Sequence, residues 1–301
     1  MQHEMKAGIL FTAASYVMWG LIPIYWKMVT HVSAYEILAN RIIWSFVFMI
    51  VLLVVLKKLA PLQKVLKEIK MYPKKALALA AASFLISINW FVYIWAVNHD
   101  QIIETSMGYY INPLMSVLLG IVVLKEALSK TQILSFLLAA GGVLIMTFSY
   151  GSFPWVSLSL ATSFALYGLV KKIIKMDASV GLTIETAVVT PLALLYLVYE
   201  SMQGSLYLFS GNLKTDLFLM GGGILTAIPL LLFANGAQKI PLYMIGFLQY
   251  IAPTMTLLLG VFVYKEMFTQ SQMLSFVFIW SALAVFTYAQ MKGMQKKKAV
   301  A

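Results

Sequence analysis

Ten stretches of about 20 apolar residues fill nearly all of this 301-residue chain, and a helix needs roughly 20 such residues to cross a bilayer. The spans are read as 7–26, 35–56, 76–97, 102–124, 131–149, 154–170, 180–199, 215–234, 242–263 and 270–290. Backbone N–H and C=O groups in lipid find no water, so each spanning segment must be a helix or a strand of a closed barrel. Barrel strands alternate apolar and polar residues, and these runs are continuously apolar. The expectation is an all-α integral membrane protein of ten transmembrane helices. Only 11% of the residues are charged, against about 25% in soluble domains. The first span lacks a small-residue cleavage site after a short apolar run, so it is read as a retained helix and not a signal peptide. The absence of Cys excludes disulfides and thiolate chemistry.

The net charge of +11 would suggest nucleic acid in a soluble protein. Here the lysines lie between the spans, so no nucleic-acid partner is expected. With the N-terminus inside, the inner segments carry 18 lysines, seven of them in the loop 57–75, and the outer segments carry Lys27, Lys214 and Lys265. The positive-inside rule then places both termini in the cytoplasm of a multi-pass cell-membrane protein. The loop 57–75 is either a solvated orientation signal or a segment resting on anionic headgroups. Residues 292–301 read as a disordered basic tail.

The second half repeats the first. At an offset of 140, Tyr110, Ile111, Pro113, Gly120, Lys125, Glu126, Gln132, Leu134, Ser135 and Phe136 match Tyr250, Ile251, Pro253, Gly260, Lys265, Glu266, Gln272, Leu274, Ser275 and Phe276 without a gap. At an offset of 148, Ser15, Gly20 and Lys27 match Ser163, Gly168 and Lys175, with Trp19 aligned to Tyr167. The chain divides into repeats 1–150 and 151–301. Each holds five spans, an odd number, so the second must enter the membrane inverted. Inverted repeats are a common build of secondary transporters.

Several stretches add a specific likeness: Glu36-Ile37-Leu38 with Arg41, Ile43-Trp44-Ser45-Phe46, Asn89-Trp90, Ile94-Trp95-Ala96-Val97-Asn98, Gly108-Tyr109-Tyr110-Ile111-Asn112-Pro113, Tyr167-Gly168-Leu169-Val170 and Phe247-Leu248-Gln249-Tyr250-Ile251-Ala252-Pro253-Thr254. With them the chain resembles, over nearly its whole length, the RarD permeases of the EamA-type branch of the drug/metabolite transporters. The resemblance implies the drug/metabolite transporter fold and a central cavity lined by spans 1, 3, 4, 6, 8 and 9, with spans 5 and 10 at the edge. It implies a small-molecule substrate and no cofactor, and it leaves the substrate unnamed.

Charges inside a bilayer tend to face a cavity or a partner. Arg41 is expected to pair with Glu36 or Glu104 near the outer mouth, as a gate, an anion anchor or a fixed tie between helices. A fourth reading has Arg41 snorkelling to the interface. Glu185, near the inner end of span 7, is a proton-accepting carboxylate, giving proton coupling, a structural partner to a neighbouring helix, or a group that reaches inner water. Candidate cavity groups share helix faces: Ser15 with Trp19, Ser163 with Tyr167, Asn89 with Tyr93 and adjacent Trp90, Tyr109 with Asn112, and Gln249 beside Tyr250, with Asn235 closing span 8. Such a pocket suits neutral or amphipathic small molecules; the same residues serve equally as aromatic belts and helix glue. Pro113 and Pro253, equivalent and mid-span, are candidate hinges. A homodimer would use the peripheral helices.

The residues oppose an enzyme: His3, His31 and His99 lie outside the apolar cores, no metal site is expected, and no buried Ser has an activating His. No nucleotide-binding motif appears. The leading reading is an alternating-access permease, with export by family analogy. A channel, a lipid scramblase and a non-transporting scaffold are the alternatives. Reporter fusions after residues 150 and 295 should emerge on opposite sides of the membrane; emergence on one side rules out the inverted arrangement.

Overall fold

The structure is a computed structural model that describes residues 2–99, 101–151, 153–174, 176–263, 265 and 269–299. Its helices are α1 (Gln2–Trp26), α2 (Ala34–Val55), α3 (Leu59–Met71), α4 (Pro73–Asn98), α5 (Ile102–Val122), α6 (Lys130–Tyr150), α7 (Trp155–Ile174), α8 (Ala178–Gln203), α9 (Leu213–Ala237), α10 (Leu242–Gln249), α11 (Ile251–Leu258) and α12 (Gln270–Ala299). Among the described residues, ten helical segments are long and apolar enough to cross a membrane, one of them the composite span Leu242–Val263. That composite is α10, α11 and a π-helical turn over Leu259–Val263.

Of the polar segments, the first gains detail and the last needs correction. The inner loop 57–75 contains a helix, α3, with no buried residue. Leu62, Val65, Leu66 and Ile69 share one side of it, while Lys64, Lys67 and Lys70 share another. The helical spacing separates these groups into an amphipathic surface helix of the kind that lies along headgroups. The segment read as a disordered tail continues α12 to Ala299. Two residues of the sequence repeat, Lys175 and Glu266, lie outside the described residues.

Interhelix contacts sort the helix ends onto two faces. On the near face, Glu4 at the start of α1 pairs with Lys239 just past α9. Lys58 after α2 meets Asp177 ahead of α8 at 2.6 Å. Leu242 and Tyr243, heading α10, donate to Glu126 beyond α5 at 2.8 and 2.9 Å. On the far face, Val156 heading α7 donates to Glu104 heading α5. His31, before α2, bonds Thr215 heading α9 at 3.1 Å. Successive spans thus run in opposite directions. The opening helix of the first half starts on the near face and that of the second half on the far face.

Local structure keeps the 140-residue correspondence. Ser129 and Gln132 exchange reciprocal cap hydrogen bonds at the head of α6, and Thr269 with Gln272 does the same at the head of α12. Each pair satisfies two backbone donors that the helix start would leave open. Lys125 and Lys265, matched in sequence, both adopt positive φ, 54° and 58°.

The main packing is between the two halves and not within them. α6 lies along α12, α5 along α7 and α10, α2 between α8 and α9, α1 against α9 and α11, and α4 against α7 and α8. In lipid there is no hydrophobic force pressing helices together, so close approach at small residues must supply dispersion contact. A Cβ at Gly223 of α9 would run into the Trp44 and Ser45 backbone of α2; the gap it leaves lets Ser45 Oγ donate to Gly223 O at 2.9 Å. A Cβ at Gly246 of α10 would stand 2.6 Å from Pro113 O of α5.

Gly223→Ala should therefore force α2 from α9 and cost about 1–3 kcal/mol, the usual toll of overpacking. Gly141→Ala, whose new methyl would meet Phe278 at an ordinary 3.5 Å, should leave stability nearly unchanged. Thermal unfolding of both variants in detergent distinguishes the two outcomes.

Candidate functional site

In the far half of the bundle, Arg41 of α2 points inward. Its Nε donates to Thr226 Oγ1 of α9 at 3.0 Å. Its guanidinium carbon lies 5.1 Å from the Trp26 ring centroid and 5.9 Å from that of Trp90. Tyr93 and Tyr109 are within electrostatic reach of it, with their own rings 6.3 Å apart. A cation over aromatic faces gains about 2 kcal/mol or more when desolvated, which offsets part of the cost of a charge at this depth. Tyr109 is 50% exposed although residues of α2 and α4 flank it, so the surface it shows belongs to an internal space.

One face of α5 shows where that space ends. Ser106 and Tyr109, in the far half, are exposed. Pro113, Val117 and Gly120, further along the same face, are buried, with Gly246 set against Pro113 and Val117, and Tyr243 set against Gly120. The α10 backbone seals the near half, and the far half stays open.

Below Trp90 the structure holds a small hollow of about 10 Å³ lined by Ile86, Trp90, Tyr167, Leu182, Glu185, Thr186 and Leu230. A second, also of about 10 Å³, lies nearer the near face and includes Leu79, Lys171, Ile174, Met176 and Gln238. Each has room for no more than about one water molecule, far short of the roughly 300–1,000 Å³ of a drug-sized pocket. Glu185 lines both. Its Oε1 receives Lys171 Nζ at 2.6 Å and its Oε2 receives Tyr167 Oη at 2.9 Å. The ion pair is buried, with side chains 5% and 1% exposed. Beside it Tyr167 stacks on Phe233, and Phe164 and Trp19 pack on the same ring. At the near rim, burial acts to raise the Asp177 carboxyl, but hydrogen bonds from Lys58, Ser179 and the Val180 N–H outweigh it and hold the group below its usual range.

This architecture has known relatives. The model of the EamA-like transporter family matches residues 6–148. An uncharacterized transporter, YojE, of Bacillus subtilis is 51% identical over 99% of both chains. Protein RarD of Salmonella typhi is 40% identical over 98% of this chain and 99% of its own. The chain belongs to the RarD group of the EamA-like transporter family. A crystal structure superposes with a TM-score of 0.70 over 94% of this chain and 98% of that one; at 15% identity the likeness is one of fold. Family membership and ten apolar helices make this a multi-pass membrane protein.

Within this EamA-like bundle the expected Arg41 ion pair does not form. Glu36 accepts the Tyr207 and Leu208 N–H groups, at 2.9–3.2 Å. Glu104 accepts the Val156 N–H at 2.9 Å and so caps α7. Both carboxylates satisfy backbone donors that would otherwise be buried without partners, which costs about 1–3 kcal/mol each. No described carboxylate lies within ion-pair distance of Arg41.

The other candidates separate into groups. Trp90, Tyr93 and Tyr109 surround the far space with Arg41, and Tyr167 with Glu185 lies below. Ser15 is spent on Thr12 O of its own helix and Asn235 on Leu231 O. Asn89 ties α4 to α7 through Leu160 O and Ser163 Oγ, both at 2.9 Å. Tyr250 donates to Tyr110 O while Tyr110 donates to Pro253 O, at 3.3 and 3.2 Å. Asn112 Oδ1 and Gln249 Oε1 are buried with no hydrogen-bond partner among the described residues, and Tyr16 approaches Gln249, also without a well-formed bond. α5 runs unbroken through Pro113, whereas the helix around Pro253 is interrupted at Tyr250. The two hinge candidates are therefore not alike.

The sequence reading missed Trp26, Thr226 and Lys171. Lys171 had counted as a solvated inner lysine, but α7 runs a turn past the expected end at 170 and keeps it inside. Its spacing of four from Tyr167 was the available signal. Glu185, on a helix outside the expected cavity set, turns out to line both hollows.

Removing one partner of a buried ion pair strands the other charge. Lys171→Met should therefore destabilise the protein by about 3–5 kcal/mol. Lys171→Met with Glu185→Leu should recover much of that loss. Unfolding temperatures of the two proteins test this, and a double variant worse than the single one would contradict it.

Proposed function

We propose that this protein is a secondary permease of the cell membrane that carries a small organic molecule by alternating access. The one observation that carries the reading is the divided path along the bundle axis: a space open in the far half, and below it a buried Lys171–Glu185–Tyr167 cluster between two hollows. An open pore would not need this barrier, so the arrangement favours a carrier over a channel. The inverted repeat supports the same reading, since two oppositely inserted copies can close at one face while opening at the other. The lysine asymmetry supports a near face in the cytoplasm, and with that orientation the conformation is open to the outside. Export rests on the family resemblance.

Because the halves interdigitate, the moving bodies would be helix groups drawn from both repeats. The interruption at Tyr250 and the π-turn after it supply a weak point in span nine, since π-helical turns in α-helices gather at functional sites. Passage of substrate toward the near face requires the Lys171–Glu185 contact to open. A proton on Glu185 would weaken that contact, which gives proton coupling a physical route. The exposed apolar faces of α6 and α12 meet lipid or a second copy.

The test is flux into proteoliposomes of amino acids, nucleobases and chloramphenicol, with and without a pH gradient. Saturable flux of at least one compound is expected. It should fall at least tenfold in the Lys171→Met, Glu185→Leu protein if that protein folds as stably as predicted. Absence of saturable flux for every compound would favour a scaffold, and rapid unsaturable flux a channel.

A further inference from the structure

We propose that Arg41 anchors the charged end of the substrate, and that the permease therefore takes organic monoanions: a carboxylate carried on an aromatic or apolar body. The inference rests on the permease reading and adds the substrate class to it.

The guanidinium has five N–H donors, and one is used, by Thr226. Neither Nη atom is enclosed and unpaired, and neither bonds a described residue, so the fork remains available to a further acceptor. The two indoles beside the group are suited to this resting state. A π face stabilises the cation from above without occupying the in-plane fork. That fork matches the two oxygens of a carboxylate. The hydroxyls of Tyr93 and Tyr109 have no hydrogen-bond partner among the described residues and stand ready to donate to the same anion.

Snorkelling does not explain the geometry. Thr226 is the fourteenth residue of α9, about 20 Å below the far end of that helix at 1.5 Å per residue. The Arg41 side chain is thus drawn toward the membrane centre and away from the rim. A fixed ionic tie does not explain it either, because the carboxylates that could serve, Glu36 and Glu104, are committed to backbone donors.

The charge count narrows the class. One cation is unneutralised here; Lys171, below, already has Glu185. A dianion would find no second cation among the described residues of the chamber. The ammonium of a zwitterion would find no carboxylate there. A cationic ligand would meet like charge. An aromatic body suits Trp90, Tyr93 and Tyr109, which present rings around the anchor.

The purified full-length protein should be titrated with 3-phenylpropionate, its uncharged amide and 2-phenylethylamine, reading tryptophan fluorescence and thermal shift. The acid should bind at least tenfold tighter than the amide, with the amine weakest, and its binding should fade as pH drops through the acid's own pKa. Arg41→Gln should erase the preference for acid over amide, and Arg41→Lys should keep part of it. Equal binding of acid and amide to the unaltered protein, no binding of the acid, or an undiminished preference in Arg41→Gln would each overturn the proposal. Should Arg41→Gln fail to fold, the acid–amide comparison and its pH profile in the unaltered protein decide. In proteoliposomes, saturable flux of neutral or cationic compounds without any anion flux would overturn this inference and leave the permease reading standing. Loss of all flux would remove the permease reading itself.

Discussion

In lipid, a pair of apolar helices gains nothing by hiding from the solvent, because the solvent is as apolar as they are. The bundle therefore depends on how closely its backbones approach, and the closest approaches join one half of the chain to the other. Gly223 lets α9 sink onto α2, and Gly246 lets α10 sink onto α5. The second contact seals the near end of the space that the first helps to shape. Packing and access are set by the same small residues, so neither half could form the site alone.

The same scarcity of water governs the charges. A carboxylate drawn wholly or partly out of water must find donors, and three of them find helix or loop N–H groups: Glu36 at Tyr207 and Leu208, Glu104 at Val156, and the half-buried Glu126 at Leu242 and Tyr243. These carboxylates fasten helix starts and a loop across the bundle, and Glu126 also meets Lys172 at 3.8 Å. Glu185 differs in having a lysine and a tyrosine as its partners. Arg41 is left with a hydroxyl and two aromatic faces. The division into fastened carboxylates, one closed ion pair and one open cation gives the axis its chemical polarity.

Much of the architecture was legible beforehand. The spans follow from apolar length, and the helical nature of each follows from the lack of alternation. The matched blocks around Tyr110 and Tyr250 anticipated shared local geometry, seen in the paired caps at Ser129 and Thr269 and in the like φ of Lys125 and Lys265. The site was less legible. Arg41, Trp90, Tyr93 and Tyr109 were singled out because polar and aromatic groups within apolar runs are conspicuous. Ser15, Asn235 and Asn89 were equally conspicuous and proved to be bonded to helix carbonyls. Nothing in a one-dimensional spacing separates a hydroxyl or amide that faces a cavity from one that back-bonds to its own helix.

The sequence by itself determined that this chain crosses a membrane about ten times, that its second half repeats the first, and that Arg41 is a charge in an apolar setting, because these depend on local composition and length alone. Only the tertiary structure decided that Lys171 turns inward to Glu185, that Glu36 and Glu104 serve backbone donors, and that Arg41 keeps an open fork between Trp26 and Trp90. Partner choice depends on which helices meet and at what height, and residues such as Arg41 and Thr226, 185 positions apart, are made neighbours by interhelical packing and not by any local pattern.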